Sequence, residues 1–309
     1  MSPKEIRVLF LWAMGLALAA LLPLADDGYL LSLGVTIAMY TVLATSWALF
    51  SGPTHYISLA TAAFYGLGTL VVGFGIDDMP YPALLLLALI AGAVAAALVG
   101  LATLRLSGVY FVIFTLGLAE MIRQLVSWLQ NNLGGSRGIY VLTDLTEAHI
   151  YWQLLAMAAA VFLIGWWIGR SKLGFALRII GNDEEVAAHC GINTARSKIF
   201  LFMVSGMAAS LTGAILAPRW TYIEPNLAFS PLLSFEVVIM ALLGGAHRLW
   251  GPMVGVIPFA LLLELIEANF PSQTILVLGI AFLLIVYMVP HGVVGRFDQL
   301  IQRFDFGRQ

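Results

Sequence analysis

Residues 82–104 read PALLLLALIAGAVAAALVGLATL and carry no charged side chain. A helix of about 20 apolar residues crosses the hydrocarbon core of a bilayer. This stretch therefore predicts a transmembrane helix, and comparable windows recur along the whole chain. The predicted spans are 7–24, 29–50, 55–74, 82–104, 108–128, 150–169, 199–218, 252–270 and 273–290, with a shorter one at 232–246.

The composition indicates the same class of protein. The 309-residue chain is 61% hydrophobic and only 10% charged, whereas soluble domains are roughly 25% charged. We therefore predict an all-α polytopic membrane protein, a single transmembrane domain over residues 1–309 with a bundle of about ten helices. The run at 7–24 follows basic residues as a secretory signal does, but it is long enough to span, so we expect a retained first helix. Nothing in the composition indicates nucleic-acid binding.

The basic residues orient the bundle, because lysine and arginine collect on the cytoplasmic side of membrane proteins. With both termini in the cytoplasm, all but three of the 15 Lys and Arg residues fall at the inner face. Leaving out the short span at 232–246 would move the C-terminal arginines to the outer face, so the charge pattern favours keeping it. The three outer residues are Arg123, Arg137 and Arg219, and the inner ones include Arg105, Arg178 and Arg248.

Two runs of small residues are candidates for a solute pathway. Residues 58–68 (SLATAAFYGLG) are rich in Gly, Ala, Ser and Thr, which lets helices pack closely or line a polar route. Close packing is the favoured alternative. The short span ends in Gly244 and Gly245, just before Gly251 and Pro252. This combination suits a broken helix beside a pathway, and a tight turn explains it equally well.

Ionisable residues at membrane depth are further candidates, because a charge at the bilayer centre costs about 3 kcal/mol and normally faces a partner or water. Glu120 and Arg123 share a helix face and are expected to pair, whereas Glu264 and Glu267 share a face without neutralising each other. Structural pairing remains as good an explanation as a role in transport. The predicted pathway residues are Ser58, Thr115, Glu120, Ser234, Glu236, Gly244 and Gly245.

The longest inner connection, at about 170–198, contains the signals of a short helix. Asn182 or Asp183 can cap its N-terminus, and Glu184 and Glu185 favour the positive end of the helix dipole. Gly191 is placed to end it in a left-handed conformation. A helix of about two turns is not stable alone in water, so it should dock against something. The alternative is a connector lying on the inner face of the bundle itself.

The same connection resembles a known transport motif. Permeases of ABC importers carry a cytoplasmic loop with Glu-Ala-Ala, three further residues and Gly, and the segment EVAAHCG at 185–191 is similar, with Val186 in place of the first Ala. The wider segment GFALRIIGNDEEVAAHCGINTARSKIFLFMVSGMAASLTG, residues 174–213, resembles the permeases of branched-chain amino-acid importers, specifically the M-type subunit of the Liv system. Residues 106–125, 133–139 and 229–255 resemble the same family.

The resemblance implies an assembly. It comprises a second permease subunit, an H-type paralogue, with two cytoplasmic ATPases and a periplasmic solute-binding protein in the inner membrane of a bacterium. The sequence has no Gly-x4-Gly-Lys-Ser/Thr phosphate loop, so ATP and Mg are expected on the partner subunits and no cofactor on this chain. The residues implied to couple to the ATPase are Asp183, Glu184, Glu185, Val186, Ala187, Ala188 and Gly191.

The sequence departs from the family pattern in places. Leu133 replaces a usual Thr, Ala60 and Thr61 stand where Gly and His or Gln are usual, and the charged pair His247-Arg248 precedes Trp250. These changes leave open a solute other than leucine, isoleucine and valine, such as urea or another small polar molecule.

Two other functions are alternatives for a chain of this kind. A secondary transporter driven by an ion gradient would need ionisable residues near the midplane and no coupling helix. An intramembrane enzyme could use His55, Ser58 and Glu120, but the Gly-x-Ser-x-Gly signature of a serine nucleophile does not surround Ser58. We assign no catalytic residue and no metal ligand.

Overall fold

The computed structural model describes residues 14–25, 27–104, 106, 108–134, 138–270 and 273–288. Over these residues the chain is predominantly helical, which confirms the all-α membrane class. Several basic residues used to orient the bundle lie outside the described residues: Lys4, Arg7, Arg105, Arg137, Arg296, Arg303 and Arg308.

From Gly28 onward, the described residues form twelve α-helices and two short β-strands. The helices are α1 Gly28–Thr54, α2 Thr61–Gly75, α3 Tyr81–Thr103, α4 Val109–Leu129, α5 Glu147–Arg170, α6 Lys172–Asn182, α7 Glu184–His189, α8 Thr194–Leu216, α9 Pro225–Ala228, α10 Pro231–Gly244, α11 Gly251–Asn269 and α12 Thr274–Met288. The strands are β1 Ile139–Tyr140 and β2 Tyr222–Ile223.

The apolar helices coincide with the predicted spans. Among the described residues, seven helical segments are long and apolar enough to cross a membrane: Gly28–Thr54, Tyr81–Thr103, Val109–Asn132, Glu147–Arg170, Thr194–Arg219, Pro225–Gly244 and Gly251–Asn269. Shorter apolar helices at Met14–Leu24, Thr61–Gly75 and Thr274–Leu284 fall at the remaining predicted positions. A total of about ten spans and the cytoplasmic placement of both termini stay predictions.

The predicted span at 55–74 is wrong at its start, because residues 55–60 are not helical and α2 begins at Thr61. His55 has a left-handed backbone, with φ of 58°. Side chains of other helices hold this segment: the Thr115 hydroxyl accepts from the Leu59 amide at 3.1 Å, and the indole of Trp47 donates to the Ser58 carbonyl at 2.8 Å. Backbone groups released from a helix inside a membrane need such partners.

Helix α8 packs against α1, α2 and α3, and its backbone comes very close to those of α2 and α3. A Cβ added to Gly68 would collide with the carbonyl oxygen of Ser210, and one added to Gly213 would collide with that of Tyr65. A Cβ added to Gly92 would likewise lie only 2.5 Å from the Cβ of Ser210. Close packing therefore accounts for the glycine of α2 at position 68.

Helices α10 and α11 form a tight pair. A Cβ on Gly244 or on Gly255 would overlap the backbone of the opposite helix, and the turn after α10 uses Gly245 with φ of 108°. The glycines at 244, 245 and 251 thus serve a close turn and close packing, the simpler of the two interpretations that the sequence allowed.

Strands β1 and β2 were not predicted. They pair antiparallel, with Ile139 opposite Ile223 and Tyr140 opposite Tyr222. The tyrosine rings lie 5.0 Å apart between centroids, and the Val141 amide donates to the Thr221 carbonyl at 3.1 Å. This pair ties the connection between α4 and α5 to the connection after α8.

Glycine-to-alanine changes test the helix contacts. Gly68→Ala should destabilise the protein by about 1–3 kcal/mol, because a methyl group there overpacks against a backbone that cannot move aside. Gly117→Ala on α4 is the matched control, since nothing lies within 4 Å of its added Cβ. Thermal unfolding of the purified protein in detergent measures both. Equal melting temperatures for the two variants would contradict the packing described here.

Candidate functional site

The predicted coupling helix is present as α7, Glu184–His189. Asp183 caps it, with Oδ1 accepting from the amides of Glu185 at 2.9 Å and Val186 at 3.1 Å. Gly191 follows its end with φ of 79°, a left-handed conformation that costs glycine little. The structure therefore confirms the predicted cap at Asp183 and the predicted end at Gly191.

A buried lysine attaches α7 to the bundle. Lys198, near the start of α8, donates to Oε1 of Glu184 at 2.6 Å and to the Tyr56 hydroxyl at 3.2 Å. The Tyr56 hydroxyl in turn donates to Oε2 of Glu184 at 3.4 Å. The Lys198 side chain is only 3% exposed, whereas that of Glu184 is 41% exposed. The Lys198 ammonium is thus desolvated, and the Glu184 carboxylate neutralises its charge.

The same contacts change the electrostatics of Glu184. Burial by itself raises the pKa of this carboxyl, but the hydrogen bond and positive charge of Lys198 outweigh burial and leave the pKa below its ordinary value of 4.5. The ionised form is therefore stabilised in the folded protein. Glu184 is a structural contact of α7.

The two faces of α7 differ. Glu184 and Ala187 point to the bundle, and Ala187 is fully buried. The opposite face exposes Glu185, Val186 and Ala188 to solvent. The predicted coupling set is thus divided by the structure: Glu185, Val186 and Ala188 are exposed, whereas Glu184 and Ala187 connect the helix to the membrane domain.

Three of the predicted pathway residues carry hydroxyl groups that bond to the backbone near the start of α2. Ser58, Thr115 and Ser234 satisfy the backbone around the start of α2, where the Ser234 hydroxyl accepts from the Ala62 amide at 2.9 Å and the Ser58 hydroxyl from the Ala60 amide at 3.2 Å. Their hydrogen bonds therefore have a structural purpose.

Glu120 and Arg123 form the predicted ion pair, with Nε of Arg123 donating to Glu120 at 2.8 Å. Arg123 also donates to Asn226 at 2.7 Å, which joins α4 to α9. The Arg123 and Glu120 side chains are 23% and 39% exposed. An ionisable residue in a membrane-spanning helix normally faces a partner or water, so we interpret this pair as mutual neutralisation that also positions α9.

Glu236 lines a chamber at the end of the bundle that the charge pattern predicts to face outward, here called the outer chamber. Its carboxylate accepts a hydrogen bond from the Tyr40 hydroxyl, and Glu236 is 5% exposed. Two adjoining cavities of about 440 and 200 Å³ share Met39, Tyr40, Tyr65 and Trp220 in their walls. Their other ionisable lining residues are Arg219, Glu264 and Glu267 around the larger cavity, and Glu224 and Glu236 around the smaller one.

The chamber therefore combines one guanidinium with several carboxylates and aromatic rings. Arg219 is held by Ser32, whose hydroxyl accepts at 2.6 Å, and by Glu147 at 3.3 Å. Sequence reasoning found Glu236 and the shared face of Glu264 and Glu267, but it did not join them to Arg219. The residues come from distant segments, and only the fold brings them together.

The residues of the alternative catalytic set have other partners. Ser58 caps the backbone before α2, Glu120 pairs with Arg123, and the His55 ring lies edge-on to His247 at 5.4 Å between centroids. The geometry gives no support to a Ser-His pair.

A family model described as "Branched-chain amino acid transport system / permease component" matches residues 29–289. The match includes the chamber, the capped helix α7 and the buried Lys198. The chain belongs to this permease family. The family resemblance inferred from the sequence is thereby confirmed.

The chain is similar to permeases that are named for two different kinds of solute. The chain is 24% identical to the branched-chain amino acid permease LivM of Salmonella typhimurium over 92% of this chain and 74% of LivM. It is 27% identical to LivH of the same organism over 52% of each protein, so it spans about half the length of LivH in that match. It is 25% identical to the autoinducer 2 import permease LsrC of Yersinia pestis over 77% of this chain and 65% of LsrC. No solved structure matches the chain.

The Glu184–Lys198 contact gives a testable pH dependence. Glu184→Gln should lower stability at neutral pH by about 1–3 kcal/mol, because it leaves a buried ammonium without its carboxylate. A lowered folded-state pKa contributes stability above the unfolded pKa, and this contribution is lost as the pH falls through the folded value. The difference in melting temperature between the parent and the variant should therefore shrink as the pH falls below 4.5.

Glu185→Gln is the control for this measurement, because Glu185 is the exposed neighbour of Glu184 on the same helix. It should change the melting temperature little at any pH. If both variants gave the same pH profile, the attachment of α7 through Lys198 would be refuted.

Proposed function

We propose that this chain is a permease subunit of an ATP-driven importer for branched-chain or related amino acids. It forms half of the translocation pathway, beside a second permease, and couples to separate ATPase subunits that bind ATP and Mg²⁺. A periplasmic binding protein delivers the solute. The site of action is the inner membrane of a bacterium.

The observation that carries the proposal is the construction of α7. A helix of six residues has too few internal hydrogen bonds to persist alone. Here it is capped by Asp183 and anchored by Lys198, and it still presents Glu185 and Val186 outward, with Val186 51% exposed. An anchored helix with an outward apolar side chain suits contact with another subunit.

The outer chamber supports an amino-acid solute. A zwitterion carries a carboxylate and an ammonium, and the chamber offers Arg219 to the first and carboxylates such as Glu236 to the second. Its aromatic and apolar walls, including Met39, Tyr40 and Tyr65, suit a branched aliphatic side chain. The family description and the similarity to LivM favour the same class of solute.

The principal alternative is a different small polar solute carried by the same kind of importer. LsrC is named for autoinducer 2 and is similar over most of this chain. Urea is a second candidate, because of the sequence departures at Ala60, Thr61 and Leu133. An ion-coupled secondary transporter is a weaker alternative, because it gives no role to an anchored, outward-facing α7.

Substitutions on the outward side of α7 test the coupling. Glu185→Ala combined with Gly191→Val should abolish co-purification of the ATPase subunits and reduce uptake of radiolabelled leucine at least about tenfold, since a loss of 1.4 kcal/mol at an interface is tenfold in affinity. Asp78→Ala, an exposed acidic residue in the turn before α3, should leave both measurements unchanged. Survival of both uptake and ATPase association in the α7 variant would exclude the importer mechanism.

Competition identifies the solute class. In cells that express the complete importer, excess isoleucine or valine should suppress leucine uptake strongly, whereas excess urea should not. Uptake should persist when ionophores collapse the ion gradients, provided that ATP is maintained. Inhibition by urea, or loss of uptake with ionophore alone, would favour one of the alternative functions.

A further inference from the structure

A second large cavity lies at the opposite end of the bundle from the chamber. It has a volume of about 790 Å³ and is enclosed by the C-terminal parts of α1 and α5, by α6, and by the turn between α10 and α11. The elements around the cavity pack closely at two glycines. Gly181 of α6 lies against the Pro53 carbonyl, and Gly165 of α5 lies against the side chains of Leu49 and Leu249. The transport mechanism proposed above makes no use of this space.

The mouth of the cavity is basic and aromatic. Arg170, Arg178, His55 and His247 line it, and among its described lining residues none is Asp or Glu. The guanidinium of Arg170 stacks over the Trp166 ring at 4.2 Å from the centroid. Arginine beside tryptophan is typical of the membrane–water interface, and the charge pattern assigns this end of the bundle to the cytoplasm.

The interior of the cavity is apolar, apart from one hydroxyl. Ala48, Leu49, Phe162 and Leu177 form its walls. Thr45 lies about two helical turns above Gly52 on α1 and is 3% exposed. Its Oγ1 has no hydrogen-bond partner among the described residues. A buried hydroxyl without a partner is costly, but this oxygen exposes almost no surface to the cavity and is not assigned to the ligand site.

We propose that this cavity is a binding site for an anionic phospholipid of the inner leaflet. The phosphate lies at Arg170 and Arg178, and an acyl chain lies along the apolar walls. Basic pockets between transmembrane helices on the cytoplasmic side bind anionic lipid headgroups in this way. Phosphate and ester oxygens are acceptors only, which matches a site that offers donors and no carboxylate.

Other ligands fit less well. A zwitterionic amino acid would find no carboxylate in the described lining for its ammonium, in contrast to the outer chamber. A free inorganic anion would use the arginines but would make no contact with the apolar walls. The combination of cations at the mouth and an apolar interior therefore selects an amphipathic anion.

Native mass spectrometry of the purified full chain, titrated with dioleoyl phosphatidylglycerol or dioleoyl phosphatidylcholine, tests the proposal. The parent protein should bind the anionic lipid more tightly, by about fivefold for each arginine that contacts the headgroup. The double variant Arg170→Gln, Arg178→Gln should lose most of this preference. Lys172→Gln is the matched control, because Lys172 is a basic residue on α6 that does not line the cavity, and it should keep the preference.

A single variant separates lipid binding from folding. Arg178 is exposed and lines the cavity, so Arg178→Gln should preserve the melting temperature in lipid-free detergent while weakening binding of phosphatidylglycerol. An excess of inorganic phosphate should not displace the lipid. Equal affinity of the parent for the two lipids, displacement by phosphate, or equal losses in the Lys172 and the arginine variants would overturn the proposal, whatever the transported solute is.

Discussion

The bundle depends on close approach of helix backbones. Apolar side chains gain nothing by leaving lipid for one another, so helices in a membrane associate through packing and hydrogen bonds. In this protein the approach is made by glycine: Gly68 and Gly213 bring α2 against α8, and Gly244 and Gly255 bring α10 against α11. With these pairs in contact, the outer chamber and the inner cavity are the spaces that remain between less closely packed helices.

Coupling between α7 and the bundle follows from one buried charge. Lys198 belongs to α8, the helix that packs against α1, α2 and α3, and it bonds to Glu184 of α7 and to Tyr56 in the segment before α2. A displacement of α7 by a partner therefore acts on the start of α8 and on the non-helical segment at 55–60. In the proposed importer, this contact is the physical connection between ATP hydrolysis and movement of the membrane domain.

Hydropathy and capping signals predicted much of this structure, because both are local. The apolar stretch at 82–104 and the helix capped by Asp183 needed no knowledge of their neighbours. The start of α2 was missed because the hydrogen bonds that keep residues 55–60 out of the helix come from Thr115 and Trp47, far away in sequence. The inward orientation of Glu184 was missed for the same reason, since Lys198 was counted only as a basic residue of the inner face. The outer chamber joins residues from α1, α2, α8, α10 and α11, which no pattern in the sequence links.

The short strand pair at the outer end restricts which parts of the protein can separate. The pairing of Ile139–Tyr140 with Tyr222–Ile223 joins two connections that are distant in sequence, and the tilted tyrosine rings add contact area to the ladder. A seam that opened between these connections would break that ladder. A movement of the bundle that keeps the ladder intact must therefore carry both connections together.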